Sequence, residues 1–318
     1  MRRPTISVCI VTCNQHGYIG QCLNTVLAQE VDADVSILVG DDASDDGTSD
    51  LVAQFAGENP GKIRHLLRHP RMGAFTNMRD LMQYADGDFV ARLDGDDYWL
   101  PGKLQLQLDY LLSHPDCSAV YTNAIAVDAE GRRIGLFNDV GDAKFDLAAV
   151  LSRGNFFNNS SVMFRANGRR AWLDVPVPQI DYRIHLWHAR SGYLAHFGSP
   201  FAGYRTNANA SVVANMNDRV RELYWEAIQS VPRNLVSDGH YAHGIADFMR
   251  RVSFRALSTR NARLVRDWWP RVRAASPYGS LRTAMLVMAS ILRISGKTIM
   301  GRFRRGPDGR PMHILYRR

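Results

Sequence analysis

Between Arg92 and Leu104 the chain reads RLDGDDYWLPGKL, with Asp94, Asp96 and Asp97 inside four positions at the end of the apolar run FVARL. Carboxylates this crowded repel one another, and each is better solvated apart. A divalent cation turns that repulsion into shared attraction. Mg2+ or Mn2+ takes one or two protein carboxylates and keeps its other positions for water and substrate phosphates. Two alternatives stay open: a proton shared between two of the acids, or a solvated polar turn capping the helix that follows. A second acidic cluster, DDASDDGT, starts at Asp41 after the apolar run VSILVG. Alone it is an ordinary turn, with Asp and Ser bonding the backbone and Gly47 free to take unusual dihedrals. Two such clusters converging on one crevice would ring a nucleoside with acceptors and set a metal near its phosphates. Neither a Gly-x-Gly-x-x-Gly fingerprint nor a GxxxxGK phosphate loop accompanies them.

These residues need a scaffold that brings strand ends together. ISVCIVTC is apolar on both faces, as a central parallel strand should be. Ile19, Cys22, Leu23, Val26 and Leu27 then recur on one helical face. VSILVG predicts a second strand, and Thr48 or Ser49 an N-cap for the helix SDLVAQFA. IRHLL, the helix TNMRDLMQYA and the strand DFVARL follow. The helix GKLQLQLDYLLSHP should bury Leu104, Leu108, Leu111 and Leu112. This β-α-β-α order implies an α/β fold with a doubly wound, mostly parallel sheet flanked by helices. Ligands bind at the carboxyl ends of such strands, where Cys13, Asn14, Asp41, Asp42 and the Asp94–Asp97 group fall. In the middle third, SAVYTN, AIAVD, SSVMFR and YLAHF read as strands, and DYRIHLWHARSG as a helix closed by Gly192. Beyond Asn215 the chain turns helical, with Val220, Leu223, Tyr224, Ala227, Ile228 and Val231 in one stripe.

Taken in order, ISVCIVTCN, VGDDASDDGT, ADGDFVARLDGDDYW and KLQLQLDYLLSHP resemble the family 2 glycosyltransferases. These are inverting enzymes with the GT-A, or nucleotide-diphosphosugar transferase, fold. The resemblance is strong from Ile6 to Asn123 and weaker to about Arg205. It implies a GT-A catalytic domain over residues 1–213, with a donor half at 1–123 and an acceptor half at 124–213. A helical, basic extension would occupy 214–318. By the same resemblance, Asp42, with Asp41 beside it, would bind the nucleotide base, and Val11 and Cys13 would wall the base pocket. Asp94 would hold the ribose or a metal-bound water, Asp96 would ligate the metal, and Asp97 would support it. Asn77, Arg79 and Arg205 are the expected partners of the diphosphate. Asn207 stands where the family commonly has a histidine.

Inversion by direct displacement also needs a carboxylate to take the acceptor's proton. The family places it at the start of a helix in the second half, which matches Asp181; a plain first-turn acid is the alternative reading. Acceptor contacts are expected from Trp99, Asn158, Asn159, Ser160 and His185. The implied partners are a nucleotide-diphosphosugar donor and a glycan or lipid-linked sugar acceptor of bacterial-type surface glycan assembly. The implied cofactor is Mn2+ or Mg2+.

With 46% apolar and 22% charged residues in 318, the chain reads as globular. The formal net charge of +8 hides an asymmetry. Residues 250–318 hold 17 Lys and Arg against 2 acids, a formal +15, which leaves −7 on the rest. Such a tail points to an anionic partner. Leu281, Met285, Met288 and Leu292 share a helical face near Arg282, Arg293 and Lys297, and GRFRRG follows. Residues 276–318 are therefore either a basic amphipathic helix lying on an anionic membrane or a core-packing helix with a solvated basic rim. Trp268 and Trp269 divide the same way.

A nucleic-acid-binding protein is the rival class, but the tail shows no recognition motif and the expected crevice is acidic. A nucleotidyltransferase would need a glycine- and lysine-rich loop where CNQHGYIG stands. A catalytically silent sugar-nucleotide-binding relative is opposed by the intact acidic motif. The four cysteines lack metal-ligand spacing and suit a reducing cytosol. The start MRRPTISVCIVTCNQHG turns polar too soon for a signal peptide. No stretch reaches the roughly 20 apolar residues that span a bilayer. The expected location is cytoplasmic, or peripheral on the cytoplasmic face of the inner membrane.

Overall fold

The computed structural model describes residues 2–206, 218–301 and 313–316. The first third alternates as read: β1 (Thr5–Thr12), α1 (His16–Leu27), β2 (Asp34–Asp41), α2 (Thr48–Glu58), β3 (Ile63–Leu67), α3 (Ala74–Tyr84) and β4 (Phe89–Asp94). A short β5 (Tyr98–Trp99) precedes α4 (Lys103–Ser113). Next come β6 (Cys117–Val127), β7 (Arg133–Asn138), β8 (Ala143–Phe145) and α5 (Leu147–Arg153). A 3-10 turn at Asn159–Ser161 leads into β9 (Met163–Arg165), α6 (Arg170–Leu173), α7 (Asp181–Ser191) and the long β10 (Tyr193–Arg205). The C-terminal part holds α8 (Asp218–Gln229), α9 (Asp238–Ser258), α10 (Arg263–Ala275), α11 (Ser280–Gly301) and β11 (His313–Tyr316).

One mixed sheet runs through the molecule in the order β11-β7-β6-β9-β4-β1-β2-β3. β1, β2, β3 and β4 pair in parallel, while β9 joins β4 to β6 antiparallel to both. β10 pairs parallel with β6 and antiparallel with β5 and β8.

The alternation of β1 shows why the strand is apolar on both sides. Ile6, Val8 and Ile10 enter one core with Ile19, Leu23 and Leu104; Cys9 and Val11 enter the opposite core with Met78, Leu81 and Met82. Side chains two residues apart share a sheet face, so a strand covered by helices on both faces has no polar side.

Several details differ from the expectations. The N-cap of α2 is Gly47, whose φ of 90° fits glycine, and not Thr48 or Ser49. Thr48 has its N–H bonded to Asp46, and Ser49 turns its hydroxyl to Asp41. Leu112 lies on the solvent side of α4 and is exposed. SAVYTN and AIAVD form one continuous strand, β6, and YLAHF extends as far as Arg205. SSVMFR splits into the 3-10 turn and β9, where the Ser160 hydroxyl donates to Asp97 and the Ser161 hydroxyl accepts the Thr122 N–H of β6.

The C-terminal helices share one of the two cores that flank the sheet. Trp225, Ile228, Ile245, Phe248 and Val272 belong to the same buried cluster as Met78, Leu151 and Tyr182. Trp268 is core as well, with its ring 4.8 Å from that of Phe248, and Trp269 packs against the same cluster.

Candidate active site

The carboxyl ends of β1 and β2 are knotted together by side chains. Asn14, at φ 53°, donates its Nδ2 hydrogen to Asp45 at 2.8 Å and accepts the Asp45 N–H at 3.0 Å. Asp41 is the centre of the DDASDDGT loop and accepts from the Ser44 N–H and the Ser44 and Ser49 hydroxyls. Burial pushes its carboxyl up, but His65, Ser44 and Ser49 outweigh that and bring it down to about 2. Asp41 therefore shapes the loop from inside, fully buried, and presents no open face.

Asp42, also buried, accepts the Met72 N–H at 2.6 Å and the Gly73 N–H at 2.7 Å. The half-buried Cys13 Sγ donates to the Asp42 carbonyl at 3.4 Å, and Val11 lies buried just before it. Arg71 bonds the Asp42 and Ala43 carbonyls, a cation on this rim that the sequence reading did not single out. Val11, Cys13, Asp41 and Asp42 are thus brought together.

Asn77 is a correction. It is fully buried and donates its amide to the Gly40 carbonyl at 2.7 Å, so it ties α3 to β2 and cannot reach a diphosphate. Arg79 lies half-buried on α3 beyond it.

The aspartates of the opening motif have three different environments. Gly95 is required between them: a Cβ there would stand 2.6 Å from Gln15 Oε1 and 2.9 Å from Thr12. Asp94 ends β4 with 34% of its side chain open, and accepts from Arg92 Nη2 at 3.0 Å. Asp96 is partly open, and burial followed by repulsion from Asp94 raises its carboxyl to about 6. Asp97 is buried, accepting Ser160 Oγ on one oxygen and the Arg205 N–H at 2.8 Å on the other. Burial, then Asp96 and Asp94, push its carboxyl well above the usual range. Asp97 is therefore a strut holding the loop to β10, not an open ligand.

Arg205 is a second correction. Its guanidinium bonds the carbonyls of Asp96, Asp128 and Ala129 and the Gln21 side chain, and lies 4.4 Å from the Tyr18 ring. With four of its five N–H donors committed to protein partners, it clamps the aspartate motif to its neighbours and does not stand free as a phosphate ligand. Asn207 lies outside the described residues.

Asp181 opens α7 on the other side of the crevice, 36% of its side chain open. Asn159 Nδ2 donates to its Oδ1 at 2.6 Å, and Arg92 Nη1 stands 3.8 Å away. Burial raises the carboxyl, against the pull of Arg92 and Asn159, and Asp94 adds to the rise. Arg92 thus lies between Asp94 and Asp181, itself only 7% exposed. Its Nε and Nη1 have no hydrogen-bond partner among the described residues. The sequence reading missed it, although a lone arginine inside FVARL was the available signal.

Of the expected acceptor contacts, Asn159 reaches the site through Asp181, and Ser160 through Asp94 and Asp97. Asn158 is buried, its Oδ1 without a partner. Trp99 and His185 are corrections. Trp99 is buried, its Nε1 donating to the Ser160 carbonyl at 2.8 Å and its ring under Lys103. His185 is buried, with Nδ1 2.7 Å from the Tyr121 hydroxyl, and burial first, then His188 and Arg92, keep it well below its ordinary pKa.

A divalent ion suits this donor set. Asp94 and Asp96 are each partly open and their like charges repel, a repulsion that a cation between them would relieve. Among the described residues no group of three His, Cys, Asp or Glu side chains could hold a metal by itself. A site completed by water and substrate phosphate, the habit of Mg2+ and Mn2+, is the kind that fits.

An α/β sheet whose strand ends gather an acidic pocket, an aspartate motif and a facing carboxylate has the GT-A glycosyltransferase architecture. The chain matches the family described as Glycosyl transferase family 2 over residues 7–209 and belongs to it. A Mycobacterium tuberculosis relative, "Uncharacterized protein Rv1520", is 30% identical over 225 residues, which cover 70% of this chain and 64% of that protein. The chain thus spans about two thirds of the relative's length. "Putative glycosyltransferase EpsE" of Bacillus subtilis is 25% identical over 63% of this chain and 69% of its own. The crystal structure of residues 1–349 of S. aureus TarS in complex with UDP-GlcNAc shares the fold with a TM-score of 0.66. That match covers 95% of this chain and 94% of the other at 15% identity.

Proposed function

We propose that this glycosyltransferase moves a sugar from a nucleotide-diphosphosugar to an acceptor hydroxyl with inversion, in bacterial-type surface glycan assembly on the cytoplasmic side. The observation that carries the reading is the facing pair of open carboxylates, Asp94 and Asp181, with buried Arg92 between them. The UDP-GlcNAc bound to the fold neighbour supports a nucleotide-sugar donor. Relatives named "Putative teichuronic acid biosynthesis glycosyltransferase TuaG" and "Chondroitin synthase" support a glycan acceptor.

The nucleoside would lie against Cys13 and Asp42, and the diphosphate at Asp94 and Asp96. A divalent ion held there by Asp96, and through water by Asp94, would offset charge on the departing diphosphate. Asp181 accepts the proton of the acceptor hydroxyl. The freed oxygen pair bonds the anomeric carbon as the bond to the diphosphate oxygen breaks. Asn159 and Arg92 hold the Asp181 carboxylate in place. Its raised affinity for protons suits a base.

The test is a thermal-shift screen of nucleotide-sugars with manganese and with EDTA, followed by turnover and anomeric NMR. Asp96→Asn is expected to lose metal-dependent donor binding. Asp181→Asn is expected to bind donor but lose turnover by about 100-fold or more. Wild-type turnover in either variant, or a product of retained configuration, would overturn the reading.

A further inference from the structure

Helix α11 has two apolar faces, and only one of them is used. Thr283, Val287 and Ile294 are buried, and Leu286 and Ile291 pack on the core formed with α9. On the opposite side Leu281 is 78% exposed, Met285 58%, Met288 54% and Leu292 66%. At 3.6 residues per turn these four lie within an arc of about 60°. The stripe continues over about three turns, far beyond the scattered single leucines a surface normally carries.

What would cover it follows from charge. Arg282 and Arg293 are exposed on one flank of the stripe, and α11 contains no acidic residue over its whole length. Residues 250–318 hold 17 Lys and Arg against 2 acids. A second copy of the chain would have to bring two such cationic faces together, which like-charge repulsion opposes. A neutral apolar partner would leave the arginines unanswered. An anionic lipid surface answers both halves: acyl chains take the leucine and methionine tips while headgroup phosphates pair with the arginines. No helix of the described residues is long and apolar enough to cross a membrane, so contact would be in the interface plane.

We propose that the outer face of α11, formed by Leu281, Met285, Met288 and Leu292 with Arg282 and Arg293, docks the enzyme on an anionic bilayer. Held there, the enzyme would meet lipid-linked acceptors confined to the same plane. The surface proposal stands on α11 alone and does not depend on the catalytic reading.

Flotation of the full chain with phosphatidylglycerol-containing vesicles, with pure phosphatidylcholine vesicles as control, tests it. The wild type is expected to float with the anionic vesicles, with less bound at 0.5 M salt. Met285→Gln with Met288→Gln is expected to reduce the bound fraction at least fivefold, and Arg282→Gln with Arg293→Gln to remove the preference for anionic lipid. Far-UV circular dichroism and Tm should match the wild type, because these side chains are exposed. Equal flotation of wild type and the methionine variant would overturn the proposal. So would absence of binding at low salt, or a wild-type dimer in solution that the methionine variant dissociates. Loss of glycosyl transfer to a soluble acceptor is not expected in either variant, which separates this surface from the active site.

Discussion

Asp41 closes β2 and Asp181 opens α7, and their surroundings drive the two carboxyls in opposite directions. Burial and the nearby Asp94 raise Asp181, while the Asn159 amide and Arg92 hold it down. A base works only when deprotonated, so activity should fall as pH drops through the pKa of Asp181. That fall should come above the usual carboxylate range. Asn159→Ala removes a hydrogen bond that favours the charged form. A pH–rate profile of this variant is expected to show the acidic limb moved upward and kcat reduced about 10-fold or more. An unmoved limb would take the proton from some other group.

For Asp41 the sign reverses. Its folded value of about 2 lies below the ordinary aspartate value, so it contributes stability that is present above pH 4 or so and is lost as pH falls toward 2. Asp41→Asn should cost about 2 kcal/mol in urea unfolding at pH 7 and much less near pH 2.5. The aspartates were legible in the sequence because repulsion makes their crowding informative. The duties of Asp97, Arg205 and Arg92 were not, since they depend on which long-range partner each meets.

At the scale of elements, the first four strands could be read because helices on both faces leave a continuous apolar run. β10 could not be read to its full length: Gly198, Pro200 and Gly203 interrupt its pattern, and its register slips twice around Pro200. The sequence singled out Asn158, Asn159 and Ser160 but not what holds their turn, because its anchor comes from far along the chain. The Tyr224 hydroxyl of α8 accepts the Asn155 N–H at 2.8 Å, and Arg251 of α9 bonds the Asn155 carbonyl at 3.1 Å. The Tyr224 ring also stacks on Tyr182, beside Asp181, at 4.5 Å. Both halves of the Asn159–Asp181 contact are therefore braced from the C-terminal helices. Tyr224→Phe keeps the ring and removes the acceptor, which should lower stability by about 1–2 kcal/mol. If the brace positions the base, kcat should fall more than the donor KM rises. A change confined to Tm would reduce Tyr224 to a packing residue.

For the whole molecule the sequence suggested a catalytic domain ending near residue 213 and a separate basic extension. The pattern turns helical just beyond Asn215 while the basic surplus starts only near residue 250, so the division rested on helical patterning and on how far the resemblance reaches. Charge describes the outside of helices, however, and a core is built from their inner faces. Trp225 and Phe248 pack 5.0 Å apart, and Tyr241 and Ile245 join the same cluster as Val150, Leu151 and Tyr182. The buried Asp247 receives Arg250 and Arg251 directly behind Gly154, where a Cβ would stand 2.3 Å from its Oδ2. β11 adds a further parallel strand to β7 at the sheet edge. A chain cut at residue 213 would leave one wall of this cluster bare to water. The expected product of 1–213 is therefore insoluble, or soluble with far-UV helix signal but no cooperative unfolding transition. A cut at residue 279 removes only α11 and the strand after it. It should leave a folded protein with a lower Tm, since α9 keeps its contacts with α5 and α10. Expression of the two truncations, followed by circular dichroism melts, compares them directly. A cooperative melt from 1–213 would show the boundary near residue 213 to be a fold boundary, and the brace on Asp181 would then be dispensable.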